Sequence, residues 1–267
     1  MKHLLLIILT FLCLSSNAQT LKTYSGQYNC INKNMLYDYG KATYTYFDGE
    51  DRRIFNGKFS YSDRDRILKG KFKDDKQTGV WTLSEKIYFG GRLIISITYT
   101  DGIPNGPFSI SMVDSKSNTT RAYIKANFNN GKLVGNVTAN MNRSLFDSYR
   151  NRFDSVFDIP YMNKMSGSFD ENGMPSKIWV VTGPTCKITE TYNQDGTYNV
   201  KTINTSTGDR VDEDRPAYMP KMLVEAANYA IRKTRMRSSE KLQLPQFDFD
   251  DTVSLQDNTQ DYVEYIE

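Results

Sequence analysis

Phe72 is followed seven residues later by Gly79 and nine residues later by Trp81. Tyr99, Gly106 and Phe108 repeat that spacing, as do Phe128, Gly135 and Val137. A polar turn separates the aromatic residue from the glycine each time. Asp101-Gly102 and Asn130-Gly131 mark two of these turns, because glycine there permits positive φ. The leading aromatics step by 27 residues and then by 29. A period of this size means one supersecondary unit per repeat, stacked on its neighbours.

Within the repeats the side chains alternate. Trp81 and Leu83 interleave with Thr82 and Ser84, Ile95 and Ile97 with Ser96 and Thr98, and Phe108 and Ile110 with Ser109 and Ser111. Ile124 and Ala126 likewise interleave with Lys125 and Asn127. Successive strand side chains point to opposite faces, so this pattern predicts a sheet with one apolar and one polar face. Short connections imply antiparallel neighbours. The fold class expected is mainly β: a meander of stacked hairpin repeats in a single elongated sheet, with an inserted helix and a C-terminal amphipathic helix.

Residues 19–44 read as an N-terminal cap and 45–207 as the repeat region. A degenerate first unit runs from Phe47-Asp48-Gly49 to Gly57-Lys58-Phe59, and a fourth from Phe169 to Trp179, one residue late. An insertion at 144–164 places Leu145, Phe146, Tyr149, Phe153 and Phe157 at helical spacing. A further hairpin fits Cys186 to Ile203, turning at Gln194-Asp195-Gly196. Over 216–241, Met219, Met222, Leu223, Ala226, Ala227, Ala230 and Ile231 form one face of a helix, with Pro220 in its first turn. Residues 242–267 form an acidic tail, with seven carboxylates and no basic residue from Asp248 onward.

The arrangement of Phe72, Asp74, Gly79 and Trp81, of Tyr99, Gly102, Gly106 and Phe108, and of Phe128, Gly131, Gly135 and Val137 resembles MORN repeats and the related repeats of the YwqK-like antitoxin family. Both place an aromatic residue, a turn and a glycine on consecutive hairpins. The resemblance covers about residues 45–180. It implies stacked hairpins and contacts with proteins or lipids.

The first 18 residues read as a signal peptide: Lys2, an apolar run from Leu4 to Leu14, and Ser16-Asn17-Ala18 before a cut at Gln19. The Asn-Ala-Gln ending resembles that of exported proteins of Bacteroidetes-type bacteria. Cys13 lacks the flanking residues of a lipidation box. The mature chain is therefore expected in the periplasm or at the cell surface, without a transmembrane segment.

The one histidine is His3, inside that leader, so histidine-based catalysis and most zinc sites are not expected. Neither metal nor cofactor is expected. Asp63 with Asp65, or Asp248, Asp250 and Asp251, lack the calcium-loop pattern and read as loop charges. Cys30 and Cys186 remain in an oxidising compartment, as a disulfide or as two buried thiols. A formal net charge of +3 gives no electrostatic case for nucleic acid.

The reading that follows is a non-enzymatic exported protein-interaction or scaffolding module. Its contact face would be Thr82, Ser84, Ser96, Thr98, Ser109, Ser111, Lys125 and Asn127, and its partner another envelope protein. Two alternatives stand beside it. One is a glycan-binding surface protein, suggested by the tyrosines and testable by a line of exposed aromatics. The other is a carboxylate-based hydrolase, which needs two facing acids with one desolvated. Trp81 and Trp179 are expected in the core. The basic stretch Arg232–Arg237 is expected to be a solvated helix face. Sheet edges make self-association a question for experiment.

Overall fold

The computed structural model of the protein describes residues 20–31, 37–87, 91–140, 164–193, 196–211, 217, 219–237 and 246–247. Its strands are β1 (Lys22–Ile31), β2 (Tyr37–Asp48), β3 (Arg53–Ser62), β4 (Arg66–Lys73), β5 (Lys76–Ile87), β6 (Gly91–Thr100) and β7 (Ile103–Asp114). They continue with β8 (Thr120–Asn129), β9 (Lys132–Asn140), β10 (Lys164–Phe169), β11 (Pro175–Thr182), β12 (Cys186–Tyr192), β13 (Tyr198–Asn204) and β14 (Arg210–Val211). These fourteen strands form one antiparallel sheet in which spatial order equals chain order. The helix α1 (Met219–Thr234) follows, then β15 (Met236–Arg237), paired with β16 (Gln246–Phe247). The meander expected from the alternation is thus the observed architecture.

The repeat grammar has a backbone cause. Asp74 and Asp75 both have positive φ, as do Asp101 with Gly102 and Asn130 with Gly131. Such two-residue turns match the right-handed twist of the strands they join. Four residues past each of these turns the register shifts. Lys69 and Lys71 of β4 face Thr82 and Thr78 of β5, so the returning strand carries two extra residues. The same shift occurs in the pairs β2–β3, β6–β7, β8–β9 and β10–β11. Gly79, Gly106 and Gly135 sit in these bulges with positive φ, which is why glycine recurs seven residues after the aromatic. In the fourth unit Lys177 takes that conformation, with φ 60°.

The degenerate first unit is the hairpin β2–β3, closed by Gly49 donating its N–H to the Arg52 carbonyl. Residues 19–44 contribute β1 and the first part of β2 to the same sheet, with β1 at its edge. The insertion at 144–164 lies outside the described residues except for Lys164, which opens β10. The leader (1–18), the turn residues 194–195 and the tail from 248 also lie outside them.

Apolar residues of one parity line up across the sheet: Ala42, Tyr61, Leu68, Leu83, Ile95, Ile110, Ile124, Ala139, Met165, Val181 and Ile188 are register partners in series and all buried. Two glycines make room for the largest side chains of this core. A Cβ on Gly70 would lie 2.1 Å from the Trp81 ring, and one on Gly167 2.1 Å from the Trp179 ring. Both indoles are fully buried, as expected. Each meets its leading phenylalanine edge-on, Phe72 at 4.9 Å and Phe169 at 5.1 Å between centroids.

Helix α1 lies on this inner face, with Met219, Met222, Leu223, Ala226, Ala227, Ala230 and Ile231 buried in the common core. Its two ends are fixed by sheet side chains. Glu190 of β12 accepts the Met219 N–H at its start, and Gln77 of β5 donates to the Thr234 carbonyl at its finish. A helix of this length spans about 24 Å. The seven strand steps from β5 to β12 measure about 34 Å along the sheet. The helix thus bridges strands seven steps apart, with the reach of the Gln77 and Glu190 side chains making up the difference. The helix ends at Thr234, short of the expected 241. Gln77 has taken its last carbonyl, and Met236 enters β15 instead.

Candidate interaction face

The eight residues expected to form a contact face all carry the outward parity. Thr82, Ser96, Ser109 and Lys125 are successive register partners on β5, β6, β7 and β8. Ser84 and Ser111 flank Ile94 in the adjacent row. Thr98 pairs with Val80, and its hydroxyl donates to the Pro107 carbonyl at 3.2 Å. Pro107 in turn pairs with Asn127. The structure thus brings all eight into one patch. The six hydroxyl residues are half-buried between neighbours, while Lys125 and Asn127 are exposed.

The central row extends far past this patch. Toward β1 it continues through Lys69, Ser60, Thr43 and Ser25. Toward β13 it continues through Thr138, Ser166, Val180, Thr189 and Lys201. A single line of hydroxyl and ammonium groups, interrupted by Val180, therefore crosses thirteen strands. Ser25 and Thr43 share a hydrogen bond of 3.0 Å, and Lys125 lies 5.0 Å above the Tyr123 ring. In the neighbouring row the Arg92 side chain donates to the Ser84 hydroxyl at 2.7 Å. Such an array can offer many hydrogen bonds and a diffuse positive field to a partner laid across the strands.

The acids behave differently. Glu190 is fully buried, and besides the helix N-terminus it accepts from Tyr192 at 2.8 Å. Burial, and then the Glu190 charge, push the Tyr192 hydroxyl's pKa far up. Glu85 faces inward and pairs with Lys233 of the helix at 4.0 Å. Asp63 accepts from the Tyr61 hydroxyl, from the Asp65 and Arg66 backbone and from the Arg66 guanidinium. Burial raises the Asp63 carboxyl's pKa, but the Asp65 N–H and the Arg66 charge outweigh it and leave the group below its ordinary value. These carboxylates hold the fold. Among the described residues no three His, Cys, Asp or Glu side chains come close enough to share a metal ion.

Cys186 carries a free thiol packed against the core. Its strand, β12, is eleven steps along the sheet from β1, which holds Cys30. With the Cys186 thiol free, the considered bridge is not formed in this structure.

Most described aromatic side chains lie on the inner face; Phe47 and Tyr123 take the outward parity, and Tyr198, of inward parity near the end of the sheet, is 41% exposed. Arg53 sits among three of them, 5.1 Å from the Tyr24 centroid and 4.6 Å from that of Tyr46, and donates to the Tyr44 hydroxyl at 2.6 Å. Glu190, Gln77 and Arg53 escape the sequence reading. For Glu190 a signal exists: it occupies the apolar parity between Ile188 and Tyr192.

No helix among the described residues is long and apolar enough to cross a membrane. Comparison with protein-family models finds no match, and neither does comparison with curated proteins.

Proposed function

We propose that this chain is an exported, non-enzymatic β-repeat protein of MORN-like type that serves as an interaction or scaffolding module in the cell envelope. The outer face of the sheet is its contact surface. One observation carries the reading: the hydroxyl and lysine row runs unbroken in register from β1 to β10 and resumes beyond Val180. The apolar face, by contrast, is already occupied by α1. Such a division leaves the outer face as the broad surface available to a partner. The resemblance of the hairpin units to MORN repeats points the same way.

The test is affinity capture from envelope extract with tagged protein beginning at Gln19. Alongside it runs the triple variant Thr82→Asp, Thr98→Asp, Lys125→Glu, checked for an unchanged circular dichroism spectrum. A stoichiometric protein retained by the parent and lost by the variant is the expected result. Equal retention by both sinks the assignment of this face. Recovery only of polysaccharide, released by free sugar, transfers the function to glycan binding.

A further inference from the structure

The strand carboxylates are sorted by face. Asp48, Glu85, Asp114 and Glu190, the strand acids with described side chains, all follow the inward parity. Among the described residues the charged side chains of outward parity are cations, Lys41, Lys58, Lys69, Lys71, Lys125 and Lys201 among them. The remaining carboxylates of the repeats sit in turns such as Asp74-Asp75 and Asp101-Gly102. A net charge of +3 conceals this segregation, because the segment from Asp248 to Glu267 carries seven acids and no base.

We propose that the outer face is a polyanion-binding surface whose resident occupant is this chain's own acidic segment, Asp248–Glu267. This rests on reading the outer face as the binding face, and adds what occupies it. Three observations support it. The charges are complementary in sign. The row places serine and threonine hydroxyls between the lysines, so a carboxylate strand meets hydrogen-bond donors as well as cations. The segment is also tethered close by, because β16 holds Gln246 and Phe247 beside β15 and within contact of β1. Twenty residues reach at most about 66 Å when extended. Lys41, Lys58 and Lys69 lie one to three strand steps from β1, about 14 Å at most. A short tether gives an effective concentration of about a millimolar. Even a weak charge contact is then substantially occupied.

Carbodiimide cross-linking of the full chain, mapped by peptide mass spectrometry, tests this. The reagent joins a lysine amine directly to a carboxylate that touches it. Expected are intramolecular links from acids of 248–267 to Lys41, Lys58, Lys69 or Lys71. They should fall about tenfold when salt rises from low concentration to about 0.5 M, where screening shortens to a few ångströms. Links confined to inner-face lysines such as Lys233, links insensitive to salt, or links found only between two copies overturn the proposal. A second measurement uses polyglutamate as probe. Converting the seven tail acids to their amides should tighten its binding to the full-length protein about tenfold, and unchanged binding overturns the proposal. Cross-linking reads the segment whether or not a partner is captured, so this proposal and the functional reading fail separately.

Discussion

Gly70 is the position at which one methyl group should do most damage. An alanine Cβ there would lie 2.1, 2.2 and 2.7 Å from three atoms of the Trp81 ring, where ordinary contact begins near 3.4 Å. The ring has little freedom to yield. Its N–H donates to the Lys71 carbonyl at 3.1 Å, Phe72 meets it edge-on and Phe59 stacks on it at 5.8 Å. In an unobstructed strand, alanine would be favoured over glycine by about 0.5–1 kcal/mol. Here overpacking reverses the sign, and Gly70→Ala should cost about 3 kcal/mol. Trp81→Val should cost about 4–5 kcal/mol, from the lost ring volume and the unpaired Lys71 carbonyl. The third unit shows the alternative solution, with Ala126 and Val137 at the two equivalent positions. The double variant Gly70→Ala, Trp81→Val copies that pair. It should be more stable than the sum of the single losses predicts, by about 2 kcal/mol. Denaturant unfolding at constant m-value gives all four corners of the cycle. Additivity within about 0.5 kcal/mol would refute the claim that the missing Cβ exists to seat the indole.

Three further outcomes follow from the packing. Trp179 is the partner of Gly167, yet its ring N–H has no hydrogen-bond partner among the described residues, so Trp179→Phe should cost about 1 kcal/mol less than Trp81→Phe in the same unfolding assay. Glu190→Ala strips the acceptor from both Met219 and Tyr192 and should cost about 2–4 kcal/mol, with hydrogen exchange accelerating first in the opening turn of α1. If exchange rises evenly along the chain, Glu190 is not the helix anchor. The third is alkaline unfolding. Burial raises Tyr99 to about 12, against the opposing Thr234 hydrogen bond, and also raises Tyr192. A folded pKa above the unfolded value near 10 means that the stabilisation is complete below pH 10. It is lost as pH climbs toward 12, by about 2–3 kcal/mol for Tyr99. Tyr99→Phe should flatten that part of a pH–stability curve, and an unaltered curve would assign the loss elsewhere.

The outer face was readable because it obeys a local rule. Thr82, Ser96, Ser109 and Lys125 share a parity, and turns of known length fix their register, so their alignment follows from short-range geometry. The charge sorting was readable by the same rule, although whole-chain charge hides it. The helix clamp was not. Gln77 and Thr234 stand 157 residues apart and Glu190 and Met219 29 apart, and no periodicity links such pairs. Cys30 and Cys186 illustrate the reverse: their count allows a bridge, and the structure leaves the Cys186 thiol free.

What the sequence by itself determined is the meander. Turn residues, bulge glycines and alternating side chains act over ten residues or fewer, and repeating them leaves one strand order. What only the tertiary structure decided is where the helix docks on that sheet. The apolar stripe of α1 says that one side is buried, without saying against which strands. The choice falls to a carboxylate on β12 and an amide on β5, each of which takes an unpaired backbone group at one end of the helix.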